Sequence, residues 1–271
     1  MTTYYVSTTG TDNGSGTQTS PWATINHALA SNLKPGDVVV VEPGTYNEAV
    51  SINKGGSAAG NITLESAVPG GALIRPPAGS FNAVTINANY VTIDGFDVKG
   101  GSGAGIAGTG VAHVSVLNNI AHDSGQSGIS FVHSDFETIE GNTTYNNAST
   151  GYYSGISVWE NQNVTGDTTT TTGYRTIIAN NTSYNNVTKA GAHSDGNGII
   201  VDDFQSTQNS SLPAYNYPTL VQGNLVYGNG GKGIQVYDSD NVTVANNTAY
   251  HNNQDTANTG TWRGEMWLIR R

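Results

Sequence analysis

Acidic residues and a histidine concentrate around one short strand in the middle of the chain. The segment from His193 to Phe204 contains three aspartates, Asp195, Asp202 and Asp203. About one repeat later a single lysine, Lys232, precedes a strand of the same pattern. Carboxylates can hold a cation and a lysine can accept a proton. The combination indicates chemistry on an acidic polymer.

The composition excludes several classes of protein. The chain has 271 residues, 35 of them glycine, with no cysteine, 11% charged residues and a net charge of −10. The lack of cysteine excludes a disulfide scaffold and Cys-ligated metals. The acidic balance argues against a nucleic-acid partner, because no basic stripe can neutralise phosphates. An anionic polysaccharide is still compatible with it, because a bound cation inverts the local charge of a site.

The ends of the chain bear on where the protein works. No apolar run approaches the roughly 20 residues of a membrane span, and the start lacks the pattern of a signal peptide. The last ten residues, Trp262 to Arg271, stop in mid-coil without a recognisable cap, which suggests a truncated C-terminus. We expect a secreted, extracellular monomer without membrane contact, exported by a type I route.

The organisation of the chain is set by an internal repeat. Asn-Asn and Gly-Asn pairs recur, and their second members are separated by 23, 39, 43 and 23 residues: Asn119, Asn142, Asn181, Asn224 and Asn247. Short strands at such a period predict an all-β right-handed parallel β-helix. We expect the asparagines to form an internal ladder and residues 1–271 to form one domain. We expect roughly residues 1–50 to form the N-terminal cap and first coil, with a short capping helix within Pro21 to Ala30.

Four strands that begin Gly-Ile can be aligned, starting at Gly128, Gly155, Gly198 and Gly233. Alternation predicts that the second and fourth residues after each glycine face outward. The fifth forms a column of His133, Glu160, Asp203 and Asp238. Stacked acids repel one another, and Ca²⁺ would relieve that repulsion. The predicted metal ligands are Asp195, Asp202, Asp203, Glu160 and Asp238; the alternative is that the acids splay into solvent.

Two long loops, Asn161 to Tyr174 and Phe204 to Pro218, leave the same end of this sheet and are predicted to stand side by side as walls. Side chains that suit sugars lie near them, and the predicted substrate-binding residues are Trp159, Tyr152, Gln235, Tyr237, Tyr215 and His133. A third expansion, Val187 to Asn197, brings His193 and Asp195 to the end where Lys232 lies. These three are the catalytic candidates, and a solvated surface lysine is the plain alternative for Lys232.

The chain resembles bacterial β-helix polysaccharide lyases over most of its length. The motifs that carry the resemblance are Tyr4-Tyr-Val-Ser-Thr-Thr-Gly-Thr-Asp, Pro21-Trp-Ala-Thr-Ile, Lys34-Pro-Gly-Asp-Val-Val-Val-Val-Glu-Pro-Gly-Thr-Tyr46, the segment His193 to Phe204 and Gly231-Lys-Gly-Ile-Gln-Val236. The last two are most similar to β-helix alginate lyases. They are also similar to calcium-dependent pectate lyases with a catalytic lysine.

The resemblance implies β-elimination on a uronic-acid polymer. Lys232 matches the base that removes the C5 proton, and Asp195, Asp202 and Asp203 match the acidic cluster. The compact Asp-Asp-Gly-Phe-Asp run of the pectate enzymes is absent, which favours alginate. A lysine base needs a lowered pKa. Without a metal the neighbouring acids would raise that pKa, and His193, His133 or Tyr152 would become better candidates for proton transfer.

Other functions remain open from the sequence. A pectate lyase and a mannuronan C5-epimerase are the nearest alternatives in chemistry, although an Asp-Pro-His signature of the epimerases is missing. A glycoside hydrolase would need paired carboxylates, and Asp202 and Asp203 point to opposite faces of a strand. A carbohydrate-binding β-solenoid or adhesin module is the alternative without catalysis, and the irregular central coils argue against it.

Overall fold

Short β-branched runs between glycines and asparagines form strands that stack in parallel, coil upon coil. The computed structural model describes residues 1–169, 173–259 and 263–269. The described strands form three parallel sheets of nine, eight and eight members. Each full coil contributes one strand to each sheet, and every ladder runs between successive coils. The predicted parallel β-helix is confirmed.

The strands of the three sheets have the following bounds. Sheet 1 contains Thr3–Val6, Val38–Val41, Ile62–Ser66, Val91–Asp94, Ala112–Leu117, Asp135–Glu140, Thr176–Ala179, Thr219–Gln222 and Val242–Ala245. Sheet 2 contains Val50–Ile52, Val84–Ile86, Ile106–Thr109, Ile129–Val132, Ser154–Trp159, Asn197–Asp202, Ile234–Tyr237 and Met266–Ile269. Sheet 3 contains Gly44–Tyr46, Ala72–Ile74, Asp97–Lys99, Ile120–His122, Thr143–Tyr145, Thr182–Tyr184, Leu225–Tyr227 and Thr248–Tyr250.

The interior is closed by one helix and filled by inward-facing side chains. The helix spans Ile25–Ala30, with Ile25, Ala28 and Leu29 buried over the first coil. Its first backbone N–H groups donate to the Glu48 carboxylate at 2.8 and 2.9 Å. The predicted cap is therefore confirmed, with a later start than Pro21. No helix in the described residues is long and apolar enough to cross a membrane.

The predicted asparagine ladder is confirmed. Each side-chain amide donates to the oxygen of the next asparagine, at 3.2, 3.0, 3.0 and 2.9 Å along the series Asn119, Asn142, Asn181, Asn224 and Asn247. A second buried ladder, which the sequence pattern did not single out, joins Asn147, Asn186, Asn229 and Asn252. The two ladders hold successive coils in register and thereby fix the strands of sheet 2 against one another.

The glycine of each of the four aligned Gly-Ile motifs is required by the stacking of the coils. A Cβ atom on Gly198 would lie 2.6 Å from the Gly233 carbonyl oxygen, and one on Gly155 would lie 2.7 Å from the Gly198 oxygen. Contacts this short are not tolerated against backbone. The recurring Gly-Ile motif is therefore a consequence of close packing, and the chemistry lies in the residues around it.

Candidate active site

A cleft of about 500 Å³ lies on the outer face of sheet 2. Its floor is formed by two columns of outward-facing side chains. One column contains Ser130, Ser157, Ile200, Gln235 and Trp267, and the other contains Val132, Trp159, Asp202 and Tyr237. All eight positions that alternation predicted to face outward line this cleft.

Lys232 lies at the cleft floor just before the strand Ile234–Tyr237, and only 6% of it is exposed. Its Nζ donates to the Ser194 carbonyl oxygen at 3.2 Å and lies 5.7 Å from the centre of the Trp267 ring. Burial lowers the pKa of Lys232, while Asp195 and Asp202 oppose this effect. The expectation that these acids would dominate without a metal is wrong, because burial outweighs them.

Asp202 ends the strand Asn197–Asp202 and faces the same cleft. Burial raises its pKa to about 7, and the negative charge of Asp195 contributes next. Asp203, Glu160 and Asp238 raise it further. A carboxyl with such a pKa holds a proton near neutral pH and can deliver it to a reacting group. The cleft therefore combines a lysine that loses its proton more easily than usual with an acid that keeps its own.

Asn197 connects the polar groups of the cleft floor and is itself fully buried. The Lys232 backbone N–H donates to Asn197 Oδ1 at 2.8 Å. Asn197 Nδ2 then faces the other way and donates to Asp195 Oδ1 and Gln235 Oε1, each at 3.0 Å. Because a backbone N–H can only donate, the orientation of both amides follows from this contact.

The same hydrogen bonds set the orientation of the Gln235 side-chain amide. Its Oε1 accepts from Asn197, so its Nε2 is directed away, towards the cleft that Gln235 lines. The residue is 6% exposed, and its Nε2 has no hydrogen-bond partner among the described residues. Nε2 is not among the fully buried polar atoms without a partner, so it is accessible from the cleft and an incoming acceptor can reach it. Gln235 Nε2 can therefore donate to a carboxylate of a bound ligand.

Three of the five predicted metal ligands lie outside the cleft. Glu160, Asp203 and Asp238 are 0%, 0% and 2% exposed, and all have positive φ, between 40° and 53°. They turn the chain from sheet 2 towards sheet 1, so their side chains point into the corner. Neither the calcium column nor the splayed arrangement is found. Among the described residues no group of three or more acidic, histidine or cysteine side chains is placed to hold a metal ion.

Each of these corner acids has a structural partner. Asp203 accepts from the backbone N–H groups of Thr207 and Gln208, both at 2.7 Å. Asp238 accepts from the Thr207 hydroxyl at 3.2 Å. Glu160 Oε2 lies 2.9 Å from His133 Nε2. Asp203 thus fixes the start of the loop from Phe204 to Pro218, which places Gln208 on the cleft.

Three more of the predicted site residues do not line the cleft: Tyr215, His193 and His133. Tyr215 is 1% exposed, donates to Asp135 Oδ1 at 2.6 Å and packs edge-on against Phe204, so its assignment to substrate binding is wrong. The two long loops do contact each other as predicted, because Asn163 Nδ2 donates to the Tyr217 hydroxyl at 3.0 Å. His193 does not line the cleft, and its Nδ1 lies 2.6 Å from Asp255 Oδ2.

The remaining predicted residues lie on the cleft or at its margin. Asp195, Trp159 and Tyr237 line it, and Tyr152 stands at its edge with 73% of its surface exposed. His133 packs against Trp159 at 5.6 Å between ring centres and does not itself line the cleft.

Four cleft residues were missed from the sequence: Tyr153, Ser194, Gln208 and Trp267. Tyr153 is adjacent to the predicted Tyr152 and accepts from Gln126 at 2.7 Å. Trp267 pairs in register with Gln235. It could have been found by extending the strand alignment by one coil. Gln208 carried no local signal, because its place depends on the loop that Asp203 fixes.

Comparison with known proteins bears on the fold and the family. Residues 4–162, more than half of the chain, match the family model of the Pel9A-like, right-handed β-helix region. The chain belongs to this family. The helix of stacked coils is therefore right-handed, as predicted, and the fold is one that polysaccharide lyases use.

The solved structures that are similar to this chain include several lyases. A rhamnogalacturonan lyase is 18% identical, with a TM-score of 0.59 over 88% of this chain and 73% of that one. The pectate lyase Pel9A is 17% identical, with a TM-score of 0.58 over 96% and 82% of the two chains. An alginate lyase from Paenibacillus sp. str. FPU-7 is 17% identical, with a TM-score of 0.54 over 99% and 98%. At these identities the likeness concerns the fold.

One curated relative is similar in sequence over a limited region. It is a cell surface glycoprotein from Methanothermus fervidus, 33% identical over 93 residues, which is 34% of this chain. The match spans 14% of the length of that glycoprotein.

Proposed function

We propose that this protein is a polysaccharide lyase that cleaves a uronic-acid polymer by β-elimination. The observation that carries the proposal is Lys232, buried on the floor of a sugar-sized cleft with a pKa lowered by burial. A lysine in a surface role would be exposed and protonated. The neutral amine of Lys232 takes the C5 proton of the uronate, and its ammonium form then rests against the Ser194 carbonyl and the Trp267 ring.

Gln235 is assigned to the uronate carboxylate. Its Nε2 donates to the carboxylate oxygens and stabilises the negative charge that moves onto them when the C5 proton leaves. The amide is held for this role by the Asn197 network, so little reorganisation is needed when the substrate binds. Support comes from the unpartnered Nε2 group described above.

Asp202 is assigned to the leaving sugar. As the C4–O4 bond breaks and the C4–C5 double bond forms, the departing oxygen needs a proton. The Asp202 carboxyl, with its pKa raised to about 7, supplies that proton. The aromatic side chains Trp159, Tyr237 and Trp267 contact the sugar rings.

Calcium, predicted from the stacked acids and from the family resemblance, is the alternative to this metal-free mechanism. Asp195 and Asp202 are the two predicted ligands that face the cleft, and Ca²⁺ takes six to eight oxygen ligands. The five acids do not form the predicted site, so no step is assigned to the ion. We expect elimination to persist in EDTA; loss of activity in EDTA and its recovery with calcium would contradict this expectation.

Among polymers, alginate is the substrate that we propose to test first, with pectate and rhamnogalacturonan next. The alginate choice rests on the sequence motifs around Lys232, and solved lyases that share this fold are named for all three. The cell surface glycoprotein relative also fits our proposal that the protein works outside the cell, where such polymers occur.

The test is to mix the protein with each polymer and follow the ultraviolet absorbance of the unsaturated uronate formed on elimination. A rise in absorbance that is lost when Lys232 is replaced by alanine supports the proposal. Inverted C5 centres seen by NMR without a rise would show an epimerase, and binding without either change would show a carbohydrate-binding module. The matched control is Lys189→Ala, because Lys189 is exposed and outside the cleft.

A further inference from the structure

The charges of the cleft are confined to its centre. Among the described residues that line it, Lys232 is the one cation, and Asp195 and Asp202 are the two carboxylates. All three belong to two neighbouring coils. On the side of the preceding coils the lining consists of serine, valine, tyrosine and tryptophan, and on the side of the following coil it consists of Trp267.

A homopolymer of uronic acid places a carboxylate on every sugar. In this cleft the carboxylates next to the reacting sugar would meet aromatic faces, whose quadrupole is negative, and would lie near Asp195 and Asp202. His133, at the margin, lies 2.9 Å from the buried Glu160 carboxylate. The chain as a whole carries a net charge of −10, which opposes the approach of a polyanion.

We propose that the cleft takes a polymer in which uncharged sugars flank the uronate that reacts. The uronate is received by Lys232 and Gln235, and the neutral neighbours lie on the aromatic and aliphatic surfaces on either side. This proposal rests on the proposed function and narrows its substrate class. Alginate and fully de-esterified pectate are then suitable for detecting elimination, but a polymer of mixed neutral and acidic sugars is the better substrate.

Partial carboxyl reduction gives a matched pair of polymers for the test. Treatment of polygalacturonate or alginate with carbodiimide and borohydride converts some uronates into neutral hexoses within the same backbone. The initial rate of elimination is measured per remaining uronate. We expect the rate for the half-reduced polymer to exceed that for the native polymer by about fivefold for each flanking charge removed, the ratio set by one contact between like charges in water.

Equal or faster elimination from the native polymer would overturn this proposal and leave the lyase function intact. Elimination from neither polymer would overturn the lyase function and the present proposal with it. The rate of elimination at different salt concentrations gives a second test. Added salt should raise the rate for the native polymer, because it screens the repulsion between like charges. In a cleft that attracts a polyanion, added salt would lower the rate.

A gain-of-function variant tests the same point from the protein side. Ser130 faces the cleft on a preceding coil, and its side chain is half-buried. We expect Ser130→Lys to raise the rate for the native polymer relative to the rate for the half-reduced polymer by about fivefold. The reason is one added attraction between the new ammonium group and a flanking carboxylate, of the same size as the repulsion above. Ser51→Lys is the matched control, because Ser51 occupies the same outward column three coils earlier, away from the cleft. An unchanged ratio in Ser130→Lys would contradict the proposal.

Discussion

Asp202 and Asp203 are neighbours in the sequence and have opposite roles in the structure. Asp202 is the last residue of its strand and faces the cleft, whereas Asp203 turns into the corner with a φ of 53° and supports a loop. The same alternation makes Gln235 and Tyr237 face the cleft. At the residue scale, the direction of one side chain decides which acid faces the cleft, where we propose that it delivers a proton, and which acid supports a loop.

The pH dependence of activity follows from the two titrating groups. Lys232 must be neutral, so the rate falls as the pH is lowered through its depressed pKa. Asp202 must be protonated, so the rate also falls as the pH rises above about 7. We expect a bell-shaped profile of kcat/KM against pH. In Asp202→Asn the fall on the alkaline side should disappear and kcat should drop by about 100-fold.

Retention of the alkaline fall in Asp202→Asn would assign it to another group. Asp94→Asn is the matched control, because Asp94 ends a sheet 1 strand far from the cleft. Its profile should equal that of the wild type.

The elements around the cleft are held by polar groups at the corner between sheets 2 and 1. Asp203 anchors the loop after its strand, and Arg175 pairs with Asp135 at 3.0 Å while stacking on Tyr217 at 3.5 Å. Glu137 lies beneath them, fully buried, with the Thr176 hydroxyl donating to its Oε2 at 2.7 Å. These contacts make the two loops a fixed wall behind the cleft.

Asp203→Asn tests this anchoring. Asparagine tolerates the positive φ and can still accept from Thr207, but its amide cannot also accept from the Gln208 N–H. We expect a loss of about 1–3 kcal/mol in the free energy of unfolding and a larger rise in KM than fall in kcat, because Gln208 loses its position. An unchanged KM in a folded variant would show that the loop has no part in binding.

Glu137 gives the fold a specific pH dependence. Burial raises its pKa from an ordinary 4.5 to about 8. The folded protein therefore keeps a proton that the unfolded chain loses, and stability falls as the pH rises from about 4.5 to 8. Glu137→Gln stays neutral, so its melting temperature should exceed that of the wild type by at least about 2–4 °C at pH above 8, with little difference near pH 4.

Thermal melting across this pH range checks the prediction. Glu140→Gln is the control, because Glu140 lies at the end of the same strand and is exposed. Equal melting temperatures for Glu137→Gln and wild type at alkaline pH would contradict the account.

The sequence predicted the fold and the floor of the cleft, and it failed at the corners. Coil stacking and alternation depend on regular local patterns, so the outward columns from Ser130 to Tyr237 could be read directly. Glu160, Asp203 and Asp238 are the first residues after their strands. A positive φ redirects their side chains there, so alternation no longer applies. Tyr215 and Gln208 lie on a long loop whose path is set by contacts with distant residues such as Asp135.

The whole molecule is held in register by its asparagine ladders. Asn181, near the middle, accepts from Asn142 and donates to Asn224 and to the Ile139 carbonyl. We expect Asn181→Ala to lower the free energy of unfolding by about 3 kcal/mol, since buried partners on both sides are left unpaired. Asn247→Ala, at the partly exposed end of the ladder, should cost less. Urea unfolding measures both losses of free energy. Equal losses in Asn181→Ala and Asn247→Ala would contradict the claim that the ladder stabilises the central coils most.

The central claim is that the amine of Lys232 removes the C5 proton, and chemical rescue tests it most directly. The initial rate of unsaturated uronate formation is measured for the wild type and for Lys232→Ala, without and with added ethylamine. We expect the variant to lose at least about 100-fold in rate and to regain activity with the amine, which enters the space that the lysine side chain leaves. A folded Lys232→Ala variant that eliminates as fast as the wild type, with or without amine, would contradict the account.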